Sequence, residues 1–233
     1  MDFSLFQDVV MPPLCPLCKS DVARDGASLC DACEAEMPLL PDRLCRCCGG
    51  PNSSPLEICP DCQKEKARLW SLAVTAFPYY GMAQEAIRNF KFHGRLSLAP
   101  YLGRRMARAW QEHHGENTVD IVSYIPLFLT RFFQRGFNQS ATLAEFVGRE
   151  LTLPVLRTLL RCRSTARQSG LRREGRLKNL RGAFRAWRAS QWQGKRILLI
   201  DDVFTTGATL QEATRTLLAN GAEEVFVLTA ARD

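Results

Sequence analysis

The chain has 233 residues, 46% of them apolar and 24% charged, an ordinary globular composition without a disorder signature that suits one large domain or a small domain joined to a medium one. No apolar run approaches the ~18–20 residues of a membrane span. The opening MDFSLFQDVVMPP, with Asp2 and no basic n-region or small-residue cleavage site, is unlike a secretory leader, so a cytoplasmic protein is expected.

The formal charge of +7 hides an asymmetry: residues 1–70 hold 7 Lys and Arg against 11 Asp and Glu, the remainder 24 against 13. Between Arg157 and Arg196 thirteen residues are basic and only Glu174 is acidic. Such a concentration points to a polyanionic partner: phosphate, pyrophosphate or nucleic acid.

From the N-terminus, cysteine dominates. Nine of the ten cysteines lie between Cys15 and Cys62, and only Cys162 lies beyond. In a reducing compartment repeated pairs point to metal rather than disulfides. Cys15-x2-Cys18 is followed after eleven residues by Cys30-x2-Cys33, and Cys45-x2-Cys48 after ten by Cys59-x2-Cys62. Each tight knuckle aims two sulfurs at one point, so the pattern predicts two closed four-cysteine zinc sites, structural because no coordination position stays open. An iron–sulfur cluster is the lesser alternative. Cys47 competes with its neighbours for the third knuckle, though the spacing favours Cys45 and Cys48. Sequential and interleaved ligation both remain open, with the short loops favouring sequential. Residues 1–68 have no run long enough for a core of their own and form a small metal-stapled module.

From residue 69 to 233 strands alternate with helices. Leu72–Tyr80, Val119–Ile125, Val155–Leu160, Arg196–Ile200 and Val225–Ala230 read as strands, while Met82–His93, Leu98–His114, Gln139–Leu151 and Thr209–Ala219 read as helices. Asn138 is the expected N-cap of the third helix, and Asn220–Gly221 ends the fourth. Arg163–Arg181 is polar, basic and irregular, apart from a helical turn near Leu177. The alternation predicts an α/β domain with a mostly parallel sheet covered on both faces, and a ligand site at the carboxyl ends of its strands. His93, His113 and His114 read as surface residues, and Cys162 as a free thiol. Trp187 and Trp192 would suit base stacking, but packing onto the sheet is the stronger expectation.

The most specific segment is Arg196–Leu210, RILLIDDVFTTGATL. A buried strand, Ile197–Ile200, delivers Asp201 and Asp202 at its carboxyl end, and Thr205-Thr206-Gly207-Ala208-Thr209 opens a helix. Unpaired N–H groups and the positive helix end receive a phosphate, threonine hydroxyls add donors, and Gly207 permits close approach. Two carboxylates match the two hydroxyls of a ribose. No lysine follows the glycine, so a Walker-type loop is excluded.

Ile200–Thr209 resembles the phosphoribosyl-diphosphate (PRPP) signature of type I phosphoribosyltransferases. From its first cysteine pair nearly to its end the chain is similar to the ComF family, which joins a double zinc ribbon to such a domain. The segment Pro126–Gln139 also carries the resemblance, which implies a pyrophosphate loop with Arg131, Arg135, Gly136, Asn138 and Gln139. Thr165, Gln168, Leu171, Arg176, Asn179 and Gly182-Ala183-Phe184 match the family's flexible hood. Lys91-Phe92 resembles a further family position.

The resemblance implies catalytic roles for Asp201, Asp202 and Arg135, with Mg2+ accompanying PRPP. It implies a role in DNA uptake (natural competence), handling single-stranded DNA through the zinc module, the basic surface and sites built for PRPP, beside a DNA-uptake helicase or processing proteins. The alternative is an active phosphoribosyltransferase for a nucleobase or amine. No acceptor-reading residue is evident after Val225–Ala230.

Overall fold

A computed structural model describes residues 14–20, 29–64, 67–163 and 180–233. Its centre is a four-stranded parallel sheet of β1 (Ala73–Pro78), β2 (Ile121–Tyr124), β5 (Arg196–Phe204) and β6 (Glu224–Arg232), in the order β1-β6-β5-β2. A small antiparallel pair, β3 (Leu159–Arg161) and β4 (Phe184–Ala186), lies apart from it. The helices are α1 (Asp31–Ala35), α2 (Pro60–Gln63), α3 (Gly81–Phe92), α4 (Ala99–His113), α5 (Leu129–Arg135), α6 (Gln139–Leu151) and α7 (Ala208–Ala219).

The central strands are buried on both faces, and their side chains divide by parity as a pleat requires. Leu198 and Ile200 of β5 join Phe226 and Leu228 of β6 in one core with Leu102, Met106, Leu143 and Val147 from α4 and α6. Ile197 and Leu199 join Val225 and Val227 in the opposite core with Leu210, Ala213 and Leu217 of α7. Thr75 and Thr229, buried polar groups in neighbouring strands, bond each other at 3.2 Å.

The cysteine-rich segment straddles the β1 edge. Cys15, Cys30, Cys33, Leu17, Leu29 and Met37 belong to the α4/α6 core, whereas Cys45 and Cys48 belong to the α7 core. The Ala73 N–H donates to the Arg46 carbonyl at 2.8 Å, and Trp70 Nε1 donates to the Cys47 carbonyl at 2.9 Å. At Gly49, with φ of +68°, an added Cβ would come within 2.9 Å of the Val74 backbone. The knuckle is therefore pressed onto β1, covering an edge that would otherwise offer unpaired strand groups.

Several elements differ from their sequence reading. β5 runs four residues beyond Ile200, so both acids lie within the strand; pairing to β6 continues through Asp201↔Thr229 and Phe204↔Arg232, and Phe204 is buried. Pro126–Gln139 is not all loop, since α5 forms within it and ends on Gly136 at φ of 76°. None of the α5 side chains is buried, so no apolar stripe announces it. The strand expected at Val155–Leu160 is reduced to a bridge between Val155 and Val122, with β3 beginning at Leu159. Trp192 is buried, its Nε1 bonded to the Trp187 carbonyl at 2.8 Å. Trp187 does not pack inward: it stays 39% exposed, with the Arg188 guanidinium over its ring. Among the described residues, no helix is long and apolar enough to cross a membrane.

Candidate functional site

The parallel strands end together, and the segments that leave them enclose a cavity of about 460 Å³. Tyr79 follows β1, Ile125 and Leu127 follow β2, Asp201–Phe204 end β5 and Thr205–Leu210 leave it, and Asp233 follows β6. Lys91, Arg131, Arg135, Ser140 and Arg161 complete the charged and polar lining.

The acid pair forms its floor. Asp201 Oδ1 accepts from Ser140 Oγ at 2.9 Å and from the Asp202 N–H at 2.9 Å. Asp202 Oδ1 accepts from the Val203 N–H at 2.7 Å, and Asp202 Oδ2 lies 2.7 Å from Lys91 Nζ. Burial pushes the Asp201 carboxyl up to about 7, and the negative Asp202 adds to this; Lys91, the Asp202 N–H and Ser140 pull the other way. Asn138 makes Ser140 available by capping α6, its side chain accepting from the Ser140 and Ala141 N–H groups and donating to the Ile125 carbonyl at 3.1 Å.

The turn after β5 enters α7 through Gly207 at φ of +72°, where an added Cβ would lie 2.8 Å from Phe204 and 3.1 Å from Trp70. No side chain caps this twelve-residue helix, apart from a 3.4 Å contact from the Ala208 N–H to Thr206 Oγ1. Its first-turn N–H groups consequently meet the cavity, where an anion satisfies them and the helix dipole together.

Cations face this floor. Arg131 and Arg135 stand one helical turn apart on α5. Burial lowers the Arg135 pKa, opposed by Asp202, and the guanidinium donates to Gln139 Oε1 at 3.1 Å while lying over Phe92. Arg161, from β3, is the more deeply enclosed; burial and the positive Arg131 push it down to about 10. A concave site with two carboxylates, an open helix terminus and four cations is chemically suited to a sugar bearing more than one phosphate.

Of the residues singled out from sequence, Arg131, Arg135, Asp201, Asp202 and Thr205–Thr209 line this one cavity. Asn138 and Gln139 stand behind it, and Gln139, buried, reaches the Lys91 carbonyl at 3.5 Å. Gly136 ends α5. Thr165, Gln168, Leu171, Arg176, Asn179 and the turn near Leu177 lie outside the described residues. Lys91 enters as an acid partner, and Ser140 and Arg161 enter unannounced: a serine in a helix and one arginine among thirteen basic residues carry no signal of their own.

The cysteines form two sequential tetrads, Cys15-Cys18-Cys30-Cys33 and Cys45-Cys48-Cys59-Cys62, in each of which all sulfurs lie within 4.8 Å of one another. The Cys30 N–H points at Cys15 Sγ (3.4 Å) and the Cys59 N–H at Cys45 Sγ (3.2 Å). A hydrogen bond from Cys48 holds Cys45 down to about 4, and the same bond drives Cys48 far up; burial raises Cys33. Converging sulfurs with N–H···S support fit zinc, whose binding takes the cysteines as thiolates. Cys47 is not in the tetrad.

These features define a phosphoribosyltransferase-type domain behind a double zinc ribbon. Residues 6–63 match the Double zinc ribbon domain and residues 139–233 the Phosphoribosyl transferase domain. The chain is 32% identical over 225 residues to the DNA utilization protein YhgH of Escherichia coli K12, covering 94% of this chain and 96% of that protein. It is 30% identical over 216 residues to Competence protein F of Haemophilus influenzae, covering 91% and 92%. The chain belongs to the competence protein F (ComF) family. Among solved structures, the glutamine PRPP amidotransferase of B. subtilis aligns with 57% of this chain and only 26% of its own, at 21% identity and a TM-score of 0.40. That likeness is too loose to carry substrate or activity.

Proposed function

We propose that this chain serves DNA uptake and use in the cytoplasm, handling single-stranded DNA while binding PRPP in its phosphoribosyltransferase-type domain. One observation carries the PRPP reading: Asp201, Asp202, the Thr205–Thr209 turn and the guanidinium groups of Arg131, Arg135 and Arg161 share one cavity. Asp201 and Asp202 hold the ribose hydroxyls, Thr205, Thr206, Gly207, Ala208 and Thr209 the 5-phosphate, and Arg131 and Arg135 the diphosphate, framed by Gly136, Asn138 and Gln139. Mg2+ suits the hard oxygen donors here, with Asp201 and Asp202 beside the ligand's own oxygens, and when bound it neutralises diphosphate charge. The zinc module spans residues 1–68 and the transferase-type domain 69–233. The DNA reading is supported by the names of the relatives and by the basic residues concentrated after residue 70. Helicase or DNA-processing proteins of the uptake apparatus are its expected partners.

Calorimetry with Mg-PRPP tests the pocket. Wild type should bind, and Asp201→Ala/Asp202→Ala should lose at least about tenfold in affinity, the worth of one charge-assisted hydrogen bond; no binding to wild type sinks the assignment. Single-stranded DNA should bind with an affinity that falls steeply with salt. A second reading, transfer of phosphoribosyl to a nucleobase or amine, draws support from Arg135 and Arg161 flanking the acid pair, where a departing diphosphate needs cations. Release of pyrophosphate from PRPP on adding an acceptor would establish it.

A further inference from the structure

Lys91 stands where a ribose hydroxyl should go. Both it and Asp202 line the cavity, and each side chain is largely shielded, at 20% and 12% exposure. Asp202 Oδ1 is held by the Val203 N–H, which leaves Oδ2 for a ligand, and Lys91 Nζ lies 2.7 Å from that atom. The lysine comes from the last turn of α3, and its backbone is tied to the opposite wall: Gln139 Nε2 bonds the Lys91 carbonyl at 3.5 Å, while Gln139 Oε1 takes the Arg135 guanidinium at 3.1 Å. Backbone and ammonium thus connect the arginine-lined side of the cavity to the acid side through one residue.

We propose that Lys91 is the residue that makes the pocket selective for a ribose carrying a diphosphate over a ribose carrying a single phosphate; this rests on the PRPP reading above. Its ammonium neutralises Asp202 in the ligand-free protein. A ribose diol that takes Asp202 must move the ammonium away, and a partly buried lysine without a new anion loses more than the diol restores. PRPP supplies that anion, because its C1 diphosphate enters the side lined by Arg131 and Arg135, and the flexible lysine stem lets Nζ swing to it. Ribose 5-phosphate delivers its one phosphate to the α7 terminus and leaves the displaced ammonium unmatched. The acid pair also demands two neighbouring hydroxyls: a polar site rejects an analogue lacking one because its own groups are left unpaired.

Calorimetry with Mg-PRPP and with ribose 5-phosphate on zinc-loaded wild type, Lys91→Gln and Lys91→Arg decides it, with zinc content and melting temperature confirming that each variant is folded. Wild type should prefer PRPP. In Lys91→Gln the affinity for PRPP should fall about 10–100-fold, the worth of one charge-assisted hydrogen bond, while that for ribose 5-phosphate holds or rises. Lys91→Arg keeps the charge and should keep the preference. Equal weakening of both ligands, an unchanged ratio in Lys91→Gln, or a lost preference in Lys91→Arg would each overturn the role of the ammonium while leaving the PRPP pocket intact. Absence of PRPP binding to wild type would remove the pocket itself.

Discussion

Asp201 illustrates how a carboxyl in the candidate site works against the fold that holds it. An unfolded aspartate titrates near ~3.9, whereas burial raises this one to about 7. The folded state therefore holds the proton more tightly. Asp201 costs nothing below about pH 4, weakens the fold as pH rises, and reaches its full penalty above about 7. Asp201→Asn should remove that penalty: urea unfolding from pH 4 to 8 should show the variant gaining on wild type by a few kcal/mol. Taking the difference between the two proteins cancels the titration of the cysteines, which both share. A gap that stays flat with pH would mean that Lys91 and Ser140 compensate the burial completely. The place of Asp201 beside Asp202 was legible in the sequence, but its proton affinity was not, since Ser140, 61 residues earlier, bonds it and the charge of Lys91, which pairs with Asp202, also acts on it.

Among the elements, β5, the turn and α7 act as one unit, and Gly207 is its hinge point. Its φ of +72° disfavours any side chain, and Phe204 and Trp70 occupy the space a Cβ would need. Gly207→Ala should cost about 1–3 kcal/mol of stability and weaken Mg-PRPP binding by disturbing the helix terminus; thermal melting and calorimetry read the two effects separately. The glycine and threonines were evident in the sequence because turn chemistry is local. The length of β5 was not. Asp201 and Asp202 break the apolar run, yet the strand continues because β6 goes on supplying partners through Phe204. α5 was hidden for a related reason: a helix that buries none of its side chains leaves no periodic stripe. Its arginines nevertheless fall on the cavity wall because they are four residues apart.

At the scale of the molecule, the zinc module is part of the sheet's surroundings rather than an appendage. The first tetrad packs into the α4/α6 core, the second into the α7 core, and Arg46 covers the β1 edge between them. Two zinc ions per chain are expected by elemental analysis. Cys45→Ser should lower the content to about one, since a closed site missing one of its four thiolates binds far more weakly. Cys47→Ser should retain both ions, because that residue contributes its backbone carbonyl to Trp70 and not its sulfur to the tetrad. Loss of zinc from Cys47→Ser would reverse the ligand assignment.

Local patterns were enough for the two four-cysteine sites, the parallel α/β domain, the threonine–glycine turn and the acid pair, because knuckles, strand periodicity and helix entry are governed by residues close in the chain. The tertiary structure alone decided that ligation is sequential, that the ribbons grip both faces of one sheet edge, and that Lys91, Ser140 and Arg161 converge on the acids. Those outcomes depend on contacts between residues far apart in sequence, and no short-range pattern encodes which distant side chain will neutralise a buried charge.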